Sequence, residues 1–325
     1  MHIVPLDPAE RSAPVAVITG GWSRERERSW LSGSTVAGAL DGMGVKAHVL
    51  DLADSRDTLL EGLADASKAF LAIAGRGAED GRLQGVLETL GVPYTGSGVL
   101  ASAVGMHKLH AKTLVSAAGV RVPASVKIAP DANVEEEAAR AKKALGIPLI
   151  VKPVSEGGSI GLYVATTDDF ALPSAISCAK EEEWMAEAFH AGRSVSVGVL
   201  EDEQGNAHVL PPLEAQTPNG IYSYAAKRGT AVCDYHCPAR VGAETLDDLE
   251  RQAVAAHRAL YCHSYSRHDF VVGEDGRAWW LEVNTLPGLS KTGNLARMAL
   301  AAGISYELLL THILRGADVD RRARP

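Results

Sequence analysis

Residues 267–288, RHDFVVGEDGRAWWLEVNTLPG, decide how the rest of this chain is read. Two apolar runs flank Asp275-Gly276, a dipeptide favoured in two-residue hairpin turns. With those two residues as the loop, Glu274 faces Arg277, Asp269 faces Glu282 and Arg267 faces Asn284. Residues two apart in a strand share a face, so Arg267, Asp269, Glu282 and Asn284 gather on one side of the hairpin. Two carboxylates directly opposite repel each other unless something compensates. A hard divalent cation does so naturally, because Mg²⁺ takes one or two carboxylates and fills its other positions with water and substrate phosphates. The same pattern also fits an ordinary solvated hairpin face.

Composition frames that choice. Of the 325 residues 46% are hydrophobic and 22% charged, which suits a globular chain with a substantial core and room for two or three domains. The 32 Lys and Arg against 40 Asp and Glu leave a formal charge of -8 and no basic footprint for nucleic acid. A small-molecule partner is therefore the default. The start, MHIVPLDPAERSAPVAVITGG, lacks the basic region and long apolar core of a signal peptide, and no window approaches a membrane span, so a cytoplasmic location is expected. The cysteines Cys178, Cys233, Cys237 and Cys262 are few and unevenly spaced, which argues against disulfide dependence. Cys233, His236 and Cys237 lack a second ligand pair for a tetrahedral metal, so Cys237 before Pro238 reads as a small side chain packed in a loop.

Taken in order, Val15 to Gly21 reads as a buried strand ending in a glycine turn, and Ser29 to Leu40 as the helix that follows. The charged WSRERERSW between them lies at the carboxyl end of a strand, where open α/β sheets bind ligands, although it also fits a solvated helix start. Strands at Val45 to Leu50 and Ala69 to Ile73, with a helix at Leu59 to Ala66, complete an α/β unit. The glycine-rich stretch beyond contains neither GxxxxGK[ST] nor a strand-bound GxGxxG, so neither common phosphate loop is present. A helix from Met106 to Ala118 carries Lys108. Next come the short strand VPASVKIA, a helix from Val134 to Leu145, and the strand Leu149 to Pro153 with Lys152. Glu156 to Gly161 forms a glycine-rich hairpin tip whose N–H groups can turn toward an anion while Lys152 supplies a point charge. Strands follow at Glu183 to Phe189 and at SVSVGVL. The run VLPPLEAQTPNGIYSYAAKRGTAVCDYHCPAR is long and poorly periodic, as in a loop that binds something. Helices at Leu246 to Leu260, Asn294 to Ala302 and Tyr306 to Leu314 finish the chain.

Several pieces occur together in one order: ITGGWSRERE, GAEDGRLQGVLETLGVPYTGSGVLASAVGMHK, LIVKPVSEGGSIG, YSYAAK, CPA, RHDF and LEVNTLPG. In this the chain resembles the D-alanine–D-alanine ligase family of the ATP-grasp superfamily over essentially its full length. The resemblance implies an α/β and α+β fold: an N-terminal α/β (pre-ATP-grasp) domain over 1–105, a central ATP-grasp lid over 106–190 and a C-terminal ATP-grasp domain over 191–325. It implies an ATP-dependent ligase that phosphorylates one amino acid's carboxylate and joins the acyl phosphate to a second amine.

By the same resemblance Asp269, Glu282 and Asn284 carry two Mg²⁺ ions, with Mn²⁺ as an alternative. Lys108, Lys152 and Lys227 contact the ATP phosphates, with Ser159 kept in the phosphate loop, and Glu187 accepts from the adenine amino group. Arg267 and the Gly288 N–H serve the transferred phosphoryl group and the tetrahedral intermediate, and Glu25 orients the first substrate's ammonium. Amino-acid substrates and a homodimer are the implied partners, without nucleic acid or membrane. The chain departs from the family at Ala74 (usually His), Gly158 (Ser), Arg228 (Tyr), Gly293-Asn294 (commonly Ser-Leu) and Ser194 (a ribose-binding Glu). These changes surround both amino-acid subsites, so an altered substrate pair is the alternative expectation, and a non-catalytic ATP or amino-acid binder a further one.

Overall fold

The computed structural model describes residues 1, 3–129, 133–165, 183–218 and 230–319. Lys227 and Arg228 fall outside them, as does Cys178. After the short helix α1 (Pro8–Ser12), β1 (Val15–Thr19), α2 (Arg26–Gly42), β2 (Ala47–Asp51), α3 (Arg56–Ala64), β3 (Lys68–Leu71) and α4 (Arg82–Thr89) alternate. The strands form a parallel sheet in the order β2-β1-β3, and β1 is buried throughout, which is why VAVIT reads as a continuous apolar run. The helix read as Ser29 to Leu40 begins earlier, so the charged segment supplies its first turn.

The helix expected over Met106 to Ala118 is α6 (Lys108–Ala117), and a separate helix, α5 (Val99–Met106), precedes it. His107 divides them with φ -93 and ψ 94, a non-helical conformation, and its Nδ1 accepts the His110 N–H as the cap of α6. The next sheet contains β4 (Ser125–Ile128), β5 (Leu149–Pro153), β6 (Tyr163–Ala165) and β7 (Trp184–Ala188) in the order β4-β7-β5-β6, backed by α7 (Val134–Leu145). Ile128, Ala138, Ala141, Leu149 and Trp184 belong to its small apolar core.

A larger sheet follows, made of β8 (Arg193–Glu201), β9 (Ala207–Val209), β10 (Leu213–Gln216), β11 (Asp234–His236), β12 (Tyr265–Val272) and β13 (Ala278–Asn284). Its main order is β11-β10-β8-β12-β13, with β9 beside β8. The run expected to be loop therefore contributes two short strands, β10 and β11; its residues 219–229 lie outside the described set. Helix α8 (Ala243–Ala259) and α6 pack on this sheet, and Ala111, Val115, Leu249, Ala253 and Trp280 share one core. Helices α9 (Asn294–Ala301) and α10 (Tyr306–Arg315) join the core of the first sheet through Leu295, Met298, Leu309 and Leu310. Among the described residues no helix is long and apolar enough to cross a membrane.

The β12–β13 hairpin keeps the expected register at the site and departs from it at the tip. Arg267 pairs Asn284 and Asp269 pairs Glu282, but Gly273, rather than Glu274, faces Arg277, donating its N–H to the Arg277 carbonyl at 3.0 Å. Three residues thus form the loop, and the third, Gly276, takes the left-handed φ of 77 that closes such a turn. A bulge next to the Asp269/Phe270 step restores the offset, leaving Leu281 as the extra residue between Trp280, opposite Phe270, and Glu282, opposite Asp269.

Candidate active site

The bulge is what places the carboxylate. In an unbroken strand Glu282 would share a face with Trp280, which is fully buried in the core. With Leu281 inserted, Ala278, Trp280 and Val283 stay in the core while Leu281 and Glu282 both line a cleft. On β12 the core-facing residues are His268, which accepts the Trp280 indole N–H, and Phe270, so Arg267 and Asp269 take the other side.

The two facing carboxylates do not stand bare. Arg267 donates from Nε and Nη2 to the two oxygens of Asp269, each at 2.9 Å, and Ser196 Oγ adds a bond of 2.7 Å. Lys108 Nζ lies 3.3 Å from Glu282 Oε2, and Asn284 Oδ1 accepts the Leu286 N–H at 3.1 Å. Protein cations thus supply the compensation for which a divalent ion is the other candidate. Among the described residues no three His, Cys, Asp or Glu form a metal cage. Two carboxylates and an amide oxygen are nevertheless a hard donor set, and they fit Mg²⁺, which takes few protein ligands and completes its shell with water and phosphates.

Lys108, Lys152, Ser159, Glu187, Asp269 and Glu282 line one cleft, whose space is ≈ 960 Å³ with its open mouth included. It lies between the second and third sheets, and Ser194 lines it too. Lys152 and Glu187 meet because β5 and β7 pair antiparallel with Ile150 opposite Glu187 and Met185 opposite Lys152, making them diagonal neighbours on one face. Lys152 Nζ donates to Glu187 Oε1 at 2.9 Å, and Lys112 Nζ lies 2.7 Å from Oε2. The second contact buries Oε2 against the Lys112 ammonium. Burial opposes ionisation of Glu187, but the two ammoniums outweigh it and hold its pKa down to about 2. Burial pushes Lys112 the other way, down to about 8, against the attraction of Glu187. These shifts agree once the charges are counted: two buried ammoniums on one carboxylate satisfy the anion and leave a positive surplus. Lys112 escaped the sequence reading, although Lys108 and Lys112 stand four apart on one helix and so share a face.

A second pocket adjoins the first, lined by Glu25, Arg28, Glu79, Gly157, Arg267 and Asn284 among others. Glu25 is buried, and Arg28 Nη1 donates to its Oε1 at 3.2 Å. The backbone of the glycine-rich tip presses on the same carboxylate: a Cβ on Gly157 would stand 2.4 Å from Glu25 Oε2. Arg76 ties that loop down, with Nε 3.2 Å from the Ser155 carbonyl and 3.3 Å from Glu156 Oε1. Glu79, also missed, accepts the Gly75 N–H; burial, then repulsion from Glu25, pushes its pKa up to about 8. Gly288 sits beside Arg28, since a Cβ there would lie 3.5 Å from Nε and from Nη2. Gly293 caps α9 and packs on Ser290 and the Gly288 carbonyl. The structure therefore brings Glu25, Lys108, Lys152, Ser159, Glu187, Arg267, Asp269, Glu282 and Asn284 into two adjoining pockets, with Gly288 at their edge.

Comparison with known proteins bears on this arrangement. The family described as "D-ala D-ala ligase C-terminus" matches residues 114–315. A D-alanine–D-alanine ligase of Bordetella avium is 39% identical over 315 residues, covering 97% of this chain and 98% of the relative. The chain belongs to the D-alanine–D-alanine ligase family. A second relative of that name, from Methylibium petroleiphilum, is 39% identical over 314 residues, covering 94% of this chain and 96% of its own. The structure of the Bacillus anthracis D-alanine–D-alanine ligase complexed with ATP aligns with a TM-score of 0.80 at 28% identity, covering 96% of this chain and 99% of that one. An Enterococcus faecalis D-Ala:D-Ser ligase aligns with 0.76 at 26% identity, covering 94% and 99%. The ATP-grasp fold and the ATP-dependent, dipeptide-forming ligase expected from the motifs stand on this membership.

Proposed function

We propose that this chain joins two amino acids in two steps, with ATP held between the second and third sheets. The γ-phosphoryl group passes to the donor carboxylate, releasing ADP; the acceptor amine then attacks the acyl carbon and displaces phosphate. The observation that carries this reading is the convergence of Lys108, Lys152, Glu187, Asp269 and Glu282 on one cleft from three separate parts of the chain. Charge develops on phosphoryl and acyl oxygens in both steps, and cations fixed beforehand stabilise it without reorganisation. Lys108 and Lys152 hold phosphate, Glu187 receives the adenine amino group, and Glu25 receives the donor ammonium. Arg267 and the Gly288 N–H attend the reacting centre.

Mg²⁺ on Asp269, Glu282 and Asn284 would neutralise phosphate charge. Arg267 and Lys108, which hold Asp269 and Glu282 here, would have to give up those contacts to it. Consumption of ATP supports a cytoplasmic location. Homodimerisation belongs to the proposal through family resemblance, and light scattering of the purified chain tests it. The ligase reading itself is tested with Glu282→Gln, which removes one ligand charge and retains shape. ADP release with a D-alanine donor and acceptor should fall by orders of magnitude and lose its dependence on Mg²⁺ concentration. Unchanged turnover at limiting Mg²⁺ refutes the metal assignment.

A further inference from the structure

The second pocket has a charge pattern that a donor with only an ammonium and a carboxylate does not complete. Glu25 already holds the Arg28 guanidinium at 3.2 Å, so this pair is neutral before any substrate arrives. The donor's α-carboxylate goes to the phosphoryl centre near Arg267 and Asn284, which leaves its ammonium to approach Glu25. That step adds one positive charge beside Arg28. Glu79 does not offset it, because it stays protonated at neutral pH behind its burial and the repulsion of Glu25. A donor whose side chain ends in a carboxylate restores the balance: ammonium on Glu25, side-chain carboxylate on Arg28.

The geometry suits that division. Arg28 lies between Glu25 and Gly288, with Nε and Nη2 both 3.5 Å from the position of a Cβ on Gly288. Gly288 borders the reacting carbon in the proposed mechanism, so a substituent on the donor's Cα projects toward the guanidinium. The side chain of Arg28 is about one-third exposed, which leaves donors free on the pocket side. A guanidinium grips a carboxylate through two parallel bonds and discriminates strongly between a donor that has one and a donor that lacks it.

We infer that Arg28 selects the donor, and that the preferred donor is an amino acid with an acidic side chain, of the aspartate or glutamate class. This rests on the ligase reading above for the orientation of the donor. The experiment measures two quantities on the full chain: binding of alanine, aspartate and glutamate, each of both hands, by calorimetry with the β,γ-imido analogue of ATP and Mg²⁺; and ADP release with ATP. The best acidic amino acid should bind at least tenfold tighter than alanine of the same hand. Arg28→Met should lose at least tenfold for the acidic amino acid and change alanine less than threefold, while Arg28→Lys retains the preference. Alanine binding as tightly as the acidic amino acids overturns the inference. So does an equal loss for both in Arg28→Met, which is what a role confined to holding Glu25 would give. Should that variant not fold, the wild-type preference decides alone. Selective acidic binding without ADP release supports this subsite and removes the ligase reading; ADP release with no acidic preference does the reverse.

Discussion

Replacing Lys112 with Met tests the charge surplus of the cluster around Glu187 directly. Lys112 is 3% exposed in its side chain, packs over the Trp280 ring at 5.8 Å and faces Glu187 at 2.7 Å. Met preserves most of that packing and removes the charge. An unfolded lysine keeps its proton to its ordinary value of 10.5, whereas the folded one gives it up at about 8. Between those values the unfolded chain holds more protons, so stability rises with pH there, and below 8 the whole penalty is present. At about 1.36 kcal/mol for each tenfold change in proton affinity, the penalty at pH 7 is about 3 kcal/mol at most. Lys112→Met should therefore be the more stable protein at pH 7, and its advantage should shrink steadily toward pH 10. Removing the anion instead, with Glu187→Gln, leaves two buried ammoniums together and should cost about 3–5 kcal/mol. Urea unfolding of the three proteins side by side at pH 7, 8.5 and 10 gives both results. An unchanged difference between wild type and Lys112→Met across that range, or a less stable variant at pH 7, refutes the surplus.

Glu79 titrates with the opposite sign: folded, it keeps its proton to about 8, unfolded only to its ordinary 4.5, so its contribution is complete below 4.5 and is lost as pH rises through 8. Thermal melts at pH 5 and pH 8 should show Glu79→Gln less affected by the rise than wild type. Gly157→Ala drives a methyl to 2.4 Å from Glu25 Oε2, the movable end of a side chain, so the protein should fold normally while donor KM rises about tenfold; unchanged donor KM argues against Glu25 as the ammonium site. Gly293→Ser meets Ser290 and the Gly288 carbonyl at 3.1–3.2 Å with φ -71 and the cap position both acceptable to serine. It should strengthen D-alanine as acceptor by about 1–3 kcal/mol, roughly five- to 150-fold in KM, and an unmoved acceptor KM removes position 293 from that subsite.

What the sequence disclosed follows from the range of the interaction. The Asp269–Glu282 pairing followed from the turn dipeptide only because the three-residue loop and the bulge at Leu281 offset each other, whereas the first sheet was legible because VAVIT is buried on both faces. The break at His107, which starts α6 two residues inside the expected Met106 to Ala118, was not, since only the cap geometry separates it from α5. Lys112 and Glu187 lie on a helix and a strand whose approach depends on packing α6 against β13. Nothing in a one-dimensional pattern brings them together. Arg28 was visible merely as one charge among many in WSRERERSW; its pairing with Glu25, which family resemblance had already singled out, emerges only from the pocket that closes around both.

The β12–β13 hairpin carries two opposite one-residue offsets, the longer turn and the bulge at Leu281. Counted along the sequence the two cancel, which is why Asp269 still meets Glu282. Physically they are independent: Gly273 faces Arg277 whichever number of residues bridges them, so shortening the turn to two residues would leave that pair and the phase of Trp280, Glu282 and Asn284 against β12 unchanged. The tip of this hairpin is for that reason free to change length without disturbing the facing carboxylates.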